Sequence, residues 1–149
     1  MCSPGSSPVR GDVLQWAKQV VPLGKALKSE NADHQVLVDA LRTRIPTHDD
    51  CLQLREFTNQ SSDLYNQMVR MHPPEQARSV YLEFVEAFSS NTDADRYYAL
   101  YVCQNDVSYY DLHAQAVEAT NRRGETALHD FKQLLEQYSI SCGDVDMCE

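Results

Sequence analysis

Strand-like alternation of apolar and polar residues is missing from every strong segment of this chain, which points to function on helix surfaces and away from a sheet-borne site. Long apolar runs are missing as well: none approaches the roughly 20 residues needed to span a bilayer. The opening Met-Cys-Ser-Pro-Gly-Ser-Ser-Pro has no apolar signal core. Cys2, Cys51, Cys103, Cys142 and Cys148 form an odd set without a CxxC pair, so free thiols in a reducing compartment, cytosolic or nuclear, are the expectation. Positive charge is in deficit. With a formal net charge of −9, the chain has no excess of Lys and Arg to neutralise nucleic-acid phosphates or an anionic membrane, and neither is expected as a partner.

What is present suits a folded protein. Of 149 residues, 42% are hydrophobic and 23% charged, enough for one domain with a modest core and an appendage. The negative charge is uneven: residues 10–105 carry 10 Lys/Arg and 13 Asp/Glu, whereas residues 106–149 carry 3 and 9. The expected division is therefore a Ser/Pro/Gly-rich disordered stretch over 1–9, a helical domain over 10–105, and an acidic helical extension over 106–149 with a frayed end.

Apolar spacing predicts the helices one by one. Val13, Leu14, Ala17, Val20, Val21 and Leu27 mark the first, ending near Ser29 and kinked by Pro22, which lacks a backbone donor. Val36, Leu37, Ala40 and Leu41 mark a second over 33–44, stopped before Pro46. Thr47 caps a short third over 49–57, with acids in its first turn facing the positive end of the helix dipole. A fourth begins at Ser61 or Ser62 and runs through Leu64, Met68 and Met71 to a hinge at Pro73-Pro74. Ala77, Tyr81, Phe84 and Phe88 carry a fifth, antiparallel to the fourth, and Ser89-Ser90-Asn91-Thr92 breaks it. Thr92 opens a sixth that reaches about Gln104. Residues 108–121 and 125–139 read as two further helices parted by Gly124.

Trp16–Lys28, Val36–Leu41, Pro46–Leu54, Ser62–Arg70 and Ala77–Phe88, in this order and with a broken first helix, resemble the death-fold superfamily, most closely its caspase-recruitment branch. Met71-His-Pro-Pro74 stands where that branch usually has a basic-glycine turn. The resemblance covers residues 10–104 and implies an all-α, six-helix bundle. It also implies a non-enzymatic adaptor in apoptotic or innate immune signalling, whose partner is another death-fold protein or a second copy of itself. An unrelated helical bundle is the alternative. Asn121–His129 is similar to the opening turn and helix of an ankyrin repeat, which implies a helical scaffold leading into such repeats; an accidental Gly-Glu-Thr helix start is the simpler explanation.

Chemistry-bearing residues are scattered. Cys142 with His129 or His113 has the inventory of a thiol enzyme, but a tail cannot preorganise a base or an oxyanion site, so no catalytic residue is expected. Cys142, Asp144, Asp146, Cys148 and Glu149 match neither zinc nor calcium spacing, so neither a metal nor another cofactor is expected. His34, His48 and His72 are isolated in sequence and read as helix-end or surface residues. Of Tyr97, Tyr98, Tyr101, Tyr109 and Tyr110, at least half are expected in the core, with a neighbour left outside as an anchor for a partner. The candidate protein-binding residues are charged: Lys18 and Lys25 with Lys28 on the first helix, Arg70 near the end of the fourth, and Asp33, Asp39, Asp49 and Asp50 on the second and third. If the six helices pack as in the resembled family, these form opposite-signed faces suited to head-to-tail assembly; a solvated mixed-charge surface is the plainer alternative.

Overall fold

A computed structural model describes residues 8–148 and is all-helical among them. Four α-helices follow one another: α1 (Pro8–Leu41), α2 (His48–Val69), α3 (Arg78–Cys103) and α4 (Ser108–Gln137). Short 3-10 turns occupy Glu75–Ala77 and Cys142–Val145. Residues 1–7 of the expected disordered stretch lie outside the described residues, while Pro8 and Val9 already belong to α1.

Fewer, longer helices replace the expected set, and the reason lies in their inward stripes. In α1, Val13, Trp16, Val20, Leu23, Leu27, Glu30, His34, Leu37 and Leu41 succeed one another at alternating steps of three and four residues, the spacing that keeps one face on a bundle core. In α3, Val80, Phe84, Ala87, Asn91, Ala94 and Tyr98 do the same. Glu30, His34 and Asn91 occupy apolar positions of the pattern. A sequence reading therefore sees breaks at Ser29–Asn31 and Ser89–Thr92 where the helices in fact continue.

Pro22 does not interrupt α1 either. It is exposed, and the carbonyl deprived of its donor belongs to the exposed Lys18, so water can satisfy it. Burial of Val20, Val21 and Leu23 on either side outweighs the ~3 kcal/mol proline penalty. Gly124 is likewise internal to α4, so Asn121–His129 contains no opening turn of the ankyrin kind. Helix number and continuity therefore differ from the expected six-helix set and its two-helix extension.

The helices run alternately up and down. Leu54 meets Tyr98 and Ser61 meets Asp95, while near the hinge the Tyr81 hydroxyl donates to the Val69 carbonyl at 2.8 Å, so α2 and α3 are antiparallel, as their prolines imply. Phe84 packs on Phe131 and Tyr97 on Tyr109, making α3 and α4 antiparallel in turn. At the hinge end the main core gathers Val13, Trp16, Val20, Met68, Phe88, Phe131, Leu134 and Leu135 from all four helices. Trp16 meets Phe131 edge-on at 5.8 Å. Residues 106–149 thus contribute Phe131, Leu134 and Leu135 to the same core as residues 10–105.

The expected frayed end is held down. Ile140 and Val145 are buried in the main core, and Ser141 with Asp144 forms a reciprocal capping box. Arg10 Nε donates to the Tyr138 carbonyl at 3.0 Å. Cys142 is disulfide-bonded to Cys148, and Cys51 to Cys103, which joins the start of α2 to the end of α3. The expectation of free thiols is corrected for these four residues; Cys2 lies outside the described residues.

Candidate binding cleft

α1 and α4 close over each other at the hinge end, where Trp16 reaches Phe131. Towards the other end they stand apart, and α3 forms the floor between them. Two adjoining chambers fill this gap. The outer one, about 1100 Å³, is walled by Val38, Ile45, Tyr98, Tyr101, Val102, Tyr110 and Val117, with the Cys51–Cys103 bridge at its side and Arg42, Arg55 and His48 among its lining residues. The inner one, about 310 Å³, is lined by Asn31, His34, Gln35, Asn91, Asp95, His113, Thr120 and Asn121. Val38, Arg42, His113 and Val117 border both.

Helix periodicity delivers the inner wall. Polar residues stand at the inward positions of successive helices: Glu30 and His34 on α1, Ser61 on α2, Asn91 and Asp95 on α3, all buried. Asp95 is their hub. Its Oδ2 lies 2.9 Å from Ser61 Oγ, which donates to it, and its Oδ1 lies 3.6 Å from His34 Nδ1. Asn31 Nδ2 donates to Asn91 Oδ1 at 2.8 Å, and His113 Nδ1 donates to the Ala94 carbonyl at 3.0 Å. His34 Nε2 is buried without a partner, and the Glu30 carboxyl lies against Asp95 and Asn91.

Electrostatics follow from this enclosure. Burial, followed by the neighbouring Asp95 carboxyl, pushes the Glu30 carboxyl up to about 9, so at neutral pH it carries a proton. Burial also depresses His34 below its ordinary value, against the opposing pull of Asp95, which keeps the imidazole neutral. A second carboxyl pair crosses from α3 to α4, where burial and then Asp130 raise Glu83 to about 7.

Ser61, His34 and Asp95 are the residue types of a hydrolytic triad in the wrong arrangement. Asp95 stands between the other two, so no imidazole faces the hydroxyl, and Ser61 is completely buried. The other candidate, Cys142, is in a disulfide and offers no thiolate to a His. Among the described residues no group of three or more His, Cys, Asp and Glu is placed to hold a metal ion.

The residues singled out from sequence fall elsewhere. Lys18, Asp33, Asp49 and Arg70 are exposed. Lys25, also exposed, pairs with Asp146 of the C-terminal segment at 3.0 Å, and Asp39 pairs with Arg42 at 3.5 Å and accepts from Gln35 at 2.9 Å. Asp50, unlike Asp49, is buried, so these two candidate binding acids do not share one exposed face. Asp50 takes both guanidinium nitrogens of Arg44 and accepts from the Thr47 amide at 2.7 Å, closing the capping box of α2. Arg44 and then the Thr47 amide hold its carboxyl well below the usual carboxylate range. His34, read as a helix-end residue, is instead mid-helix and buried, packing edge-on to Phe57 and Tyr98. Tyr98 is buried, Tyr97, Tyr101 and Tyr109 are half-buried, and Tyr110 is exposed beside the outer chamber.

Sequence reasoning missed Glu30, Ser61, Asn91 and Asp95 as a group, although the three-four spacing of α1 and α3 carried the signal. The chain matches no family model, no curated protein and no solved structure. Among the described residues no helix is long and apolar enough to cross a membrane.

Proposed function

We propose that this protein is a non-enzymatic recognition protein whose binding site is the cleft between α1 and α4. One observation carries the reading: an outer chamber of about 1100 Å³, walled by apolar and aromatic side chains interspersed with polar ones, that continues into an inner chamber of about 310 Å³. Preformed concave sites with apolar walls and a few convergent polar groups are the usual form of ligand pockets. The two cysteine pairs support a working environment in which disulfides persist, in place of the reducing compartment expected from sequence. The test is fluorescence titration with N-phenyl-1-naphthylamine, an apolar aromatic probe that brightens on leaving water. Saturable binding to the intact protein and its loss in Val117→Trp, which fills the shared border, is the expected result. A probe that stays dark, or binds equally to the folded variant, overturns the reading.

A second reading is the adaptor, binding another death-fold protein or its own copies in apoptotic or innate immune signalling. The exposed Lys18, Asp33, Asp39, Asp49 and Arg70 and the α2–α3 hairpin favour it; the helix count and the unbroken α1 speak against it. Charge reversal at Asp49 and Arg70 should abolish co-precipitation of death-fold proteins by the intact chain. Unchanged capture by the folded variants removes these residues from any interface.

A further inference from the structure

The wall of the outer chamber has the opposite sign to the chain as a whole. With 22 Asp/Glu against 13 Lys/Arg, a wall of average composition would carry carboxylates. Among the described residues no Asp or Glu lines this chamber, whereas Arg42, just past the end of α1, and Arg55, on α2, both do. Arg55 has no ion-pair or hydrogen-bond partner among the described residues. Arg42 engages Asp39 through one nitrogen at 3.5 Å, which leaves the rest of its guanidinium fork over. Asp95, in the inner chamber, is taken up by Ser61 and His34.

A neutral donor borders the same space. Tyr98 is 7% exposed and its ring packs against His34, Tyr101 and His113, yet its hydroxyl has no hydrogen-bond partner among the described residues. A buried tyrosine hydroxyl ordinarily finds one. Burial, followed by Tyr101, holds this phenol above its ordinary value, so it keeps a hydrogen to donate. Guanidinium forks and a phenol O–H both donate to oxygen anions, and a planar carboxylate offers its two oxygens to a fork. One unpartnered guanidinium suits one negative charge. Apolar surface lies in the same chamber: Ile45 is 87% exposed between α1 and α2, and Val38, Val117 and the edge-to-face pair Tyr101–Tyr110, at 5.3 Å, continue the wall. An occupant that satisfies both parts carries a charged head on a hydrocarbon or aromatic body.

We infer that the outer chamber binds an organic carboxylate, with its head at Arg55 and Arg42 and its apolar or aromatic body against Val38, Val117 and Tyr101. This rests on the cleft being a binding site and adds the charge and class of its ligand. Both arginines are exposed, so salt screens the attraction for the head while burial of the body persists.

Calorimetric titration of the whole protein with 4-phenylbutyrate, 4-phenyl-1-butanol and 4-phenylbutylamine separates charge from shape. The carboxylate should bind roughly tenfold tighter than the alcohol, the scale of a charge-assisted contact, and the amine weakest of the three. High salt should shrink the carboxylate's advantage. Replacing both arginines, Arg42→Gln with Arg55→Gln, should bring the carboxylate down to the alcohol's affinity, and Tyr98→Phe should weaken the carboxylate more than the alcohol. Val117→Trp should weaken both. Equal affinity for carboxylate and alcohol, a preference for the amine, or an undiminished carboxylate in the folded double variant overturns the anion site and leaves the cleft standing. Failure of all three compounds and of the naphthylamine probe removes the cleft itself, and the anion site with it. Should the double variant not fold, the salt titration of the unaltered protein decides: a carboxylate advantage that salt does not reduce overturns the proposal.

Discussion

Glu30→Gln should make the protein more stable in mildly alkaline solution and flatten its pH dependence. The folded carboxyl is raised from an ordinary 4.5 to about 9 by burial and then by Asp95, so the folded state holds a proton that the unfolded state has released across that window. Stability from such a group is fully present below the unfolded value and is lost as pH rises through the folded one. Each pH unit inside the window is worth about 1.4 kcal/mol. Between pH 6.5 and 8, unfolding free energy should therefore fall by about 2 kcal/mol. His34 works in the opposite direction, since its depressed basicity costs stability only as pH falls below 6.5, which is why the comparison starts there. Glu83, raised to about 7 mainly by burial and then by Asp130, adds a smaller loss at the lower edge. Urea unfolding followed by circular dichroism at pH 6.5, 7.2 and 8 measures the slope. The wild-type protein should lose about 5 °C in Tm over the range, given a few degrees per kcal/mol for a chain of this size, and Glu30→Gln should lose little. A flat wild-type profile, or a variant as steep as the wild type, would show that Glu30 ionises normally and that water reaches it.

Phe131→Ala removes a ring that meets both Trp16 and Phe84 and is 1% exposed; a loss of about 3–5 kcal/mol is expected in denaturant titration. Cys103→Ser opens a bridge spanning 52 residues and should lower stability by about 2–4 kcal/mol, and reductant on the unaltered protein, which also opens Cys142–Cys148, should lower it at least as much. Deleting residues 106–149 strips Phe131, Leu134 and Leu135 from the main core, so the truncated chain should unfold without a cooperative transition by circular dichroism and bind an apolar dye. Thr47→Ala takes one side of the α2 capping box and should cost about 1 kcal/mol, seen as a shifted urea midpoint at unchanged slope.

Local chemistry determined part of this architecture without help from the rest of the molecule. Helical spacing of apolar residues, the stop before Pro46, the Thr47 cap and the turn at Pro73-Pro74 depend on neighbours a few residues away, and α2, its start and the antiparallel α2–α3 pair follow from them. The all-helical character was legible for the same reason. Continuity was not. A proline, a Ser-Ser-Asn-Thr run or a glycine each opposes a helix by roughly 1–3 kcal/mol, and only burial of flanking residues against three other helices outweighs that. Pro22, Ser89–Thr92 and Gly124 therefore read as ends in the sequence and became interiors in the fold. The cleft was hidden in the same way. His34, Asn91 and Asp95 look like surface residues one by one, and they form a polar wall, with Glu30 buried beside Asp95, only because helices far apart in sequence bring them to one level. Asp50 is a smaller case: its place in the first turn was readable, but the Arg44 guanidinium that buries it comes from the loop before α2. Pairing of Cys51 with Cys103 belongs to tertiary structure for a geometric reason, since residues 52 apart come within bonding distance only when α2 and α3 lie side by side.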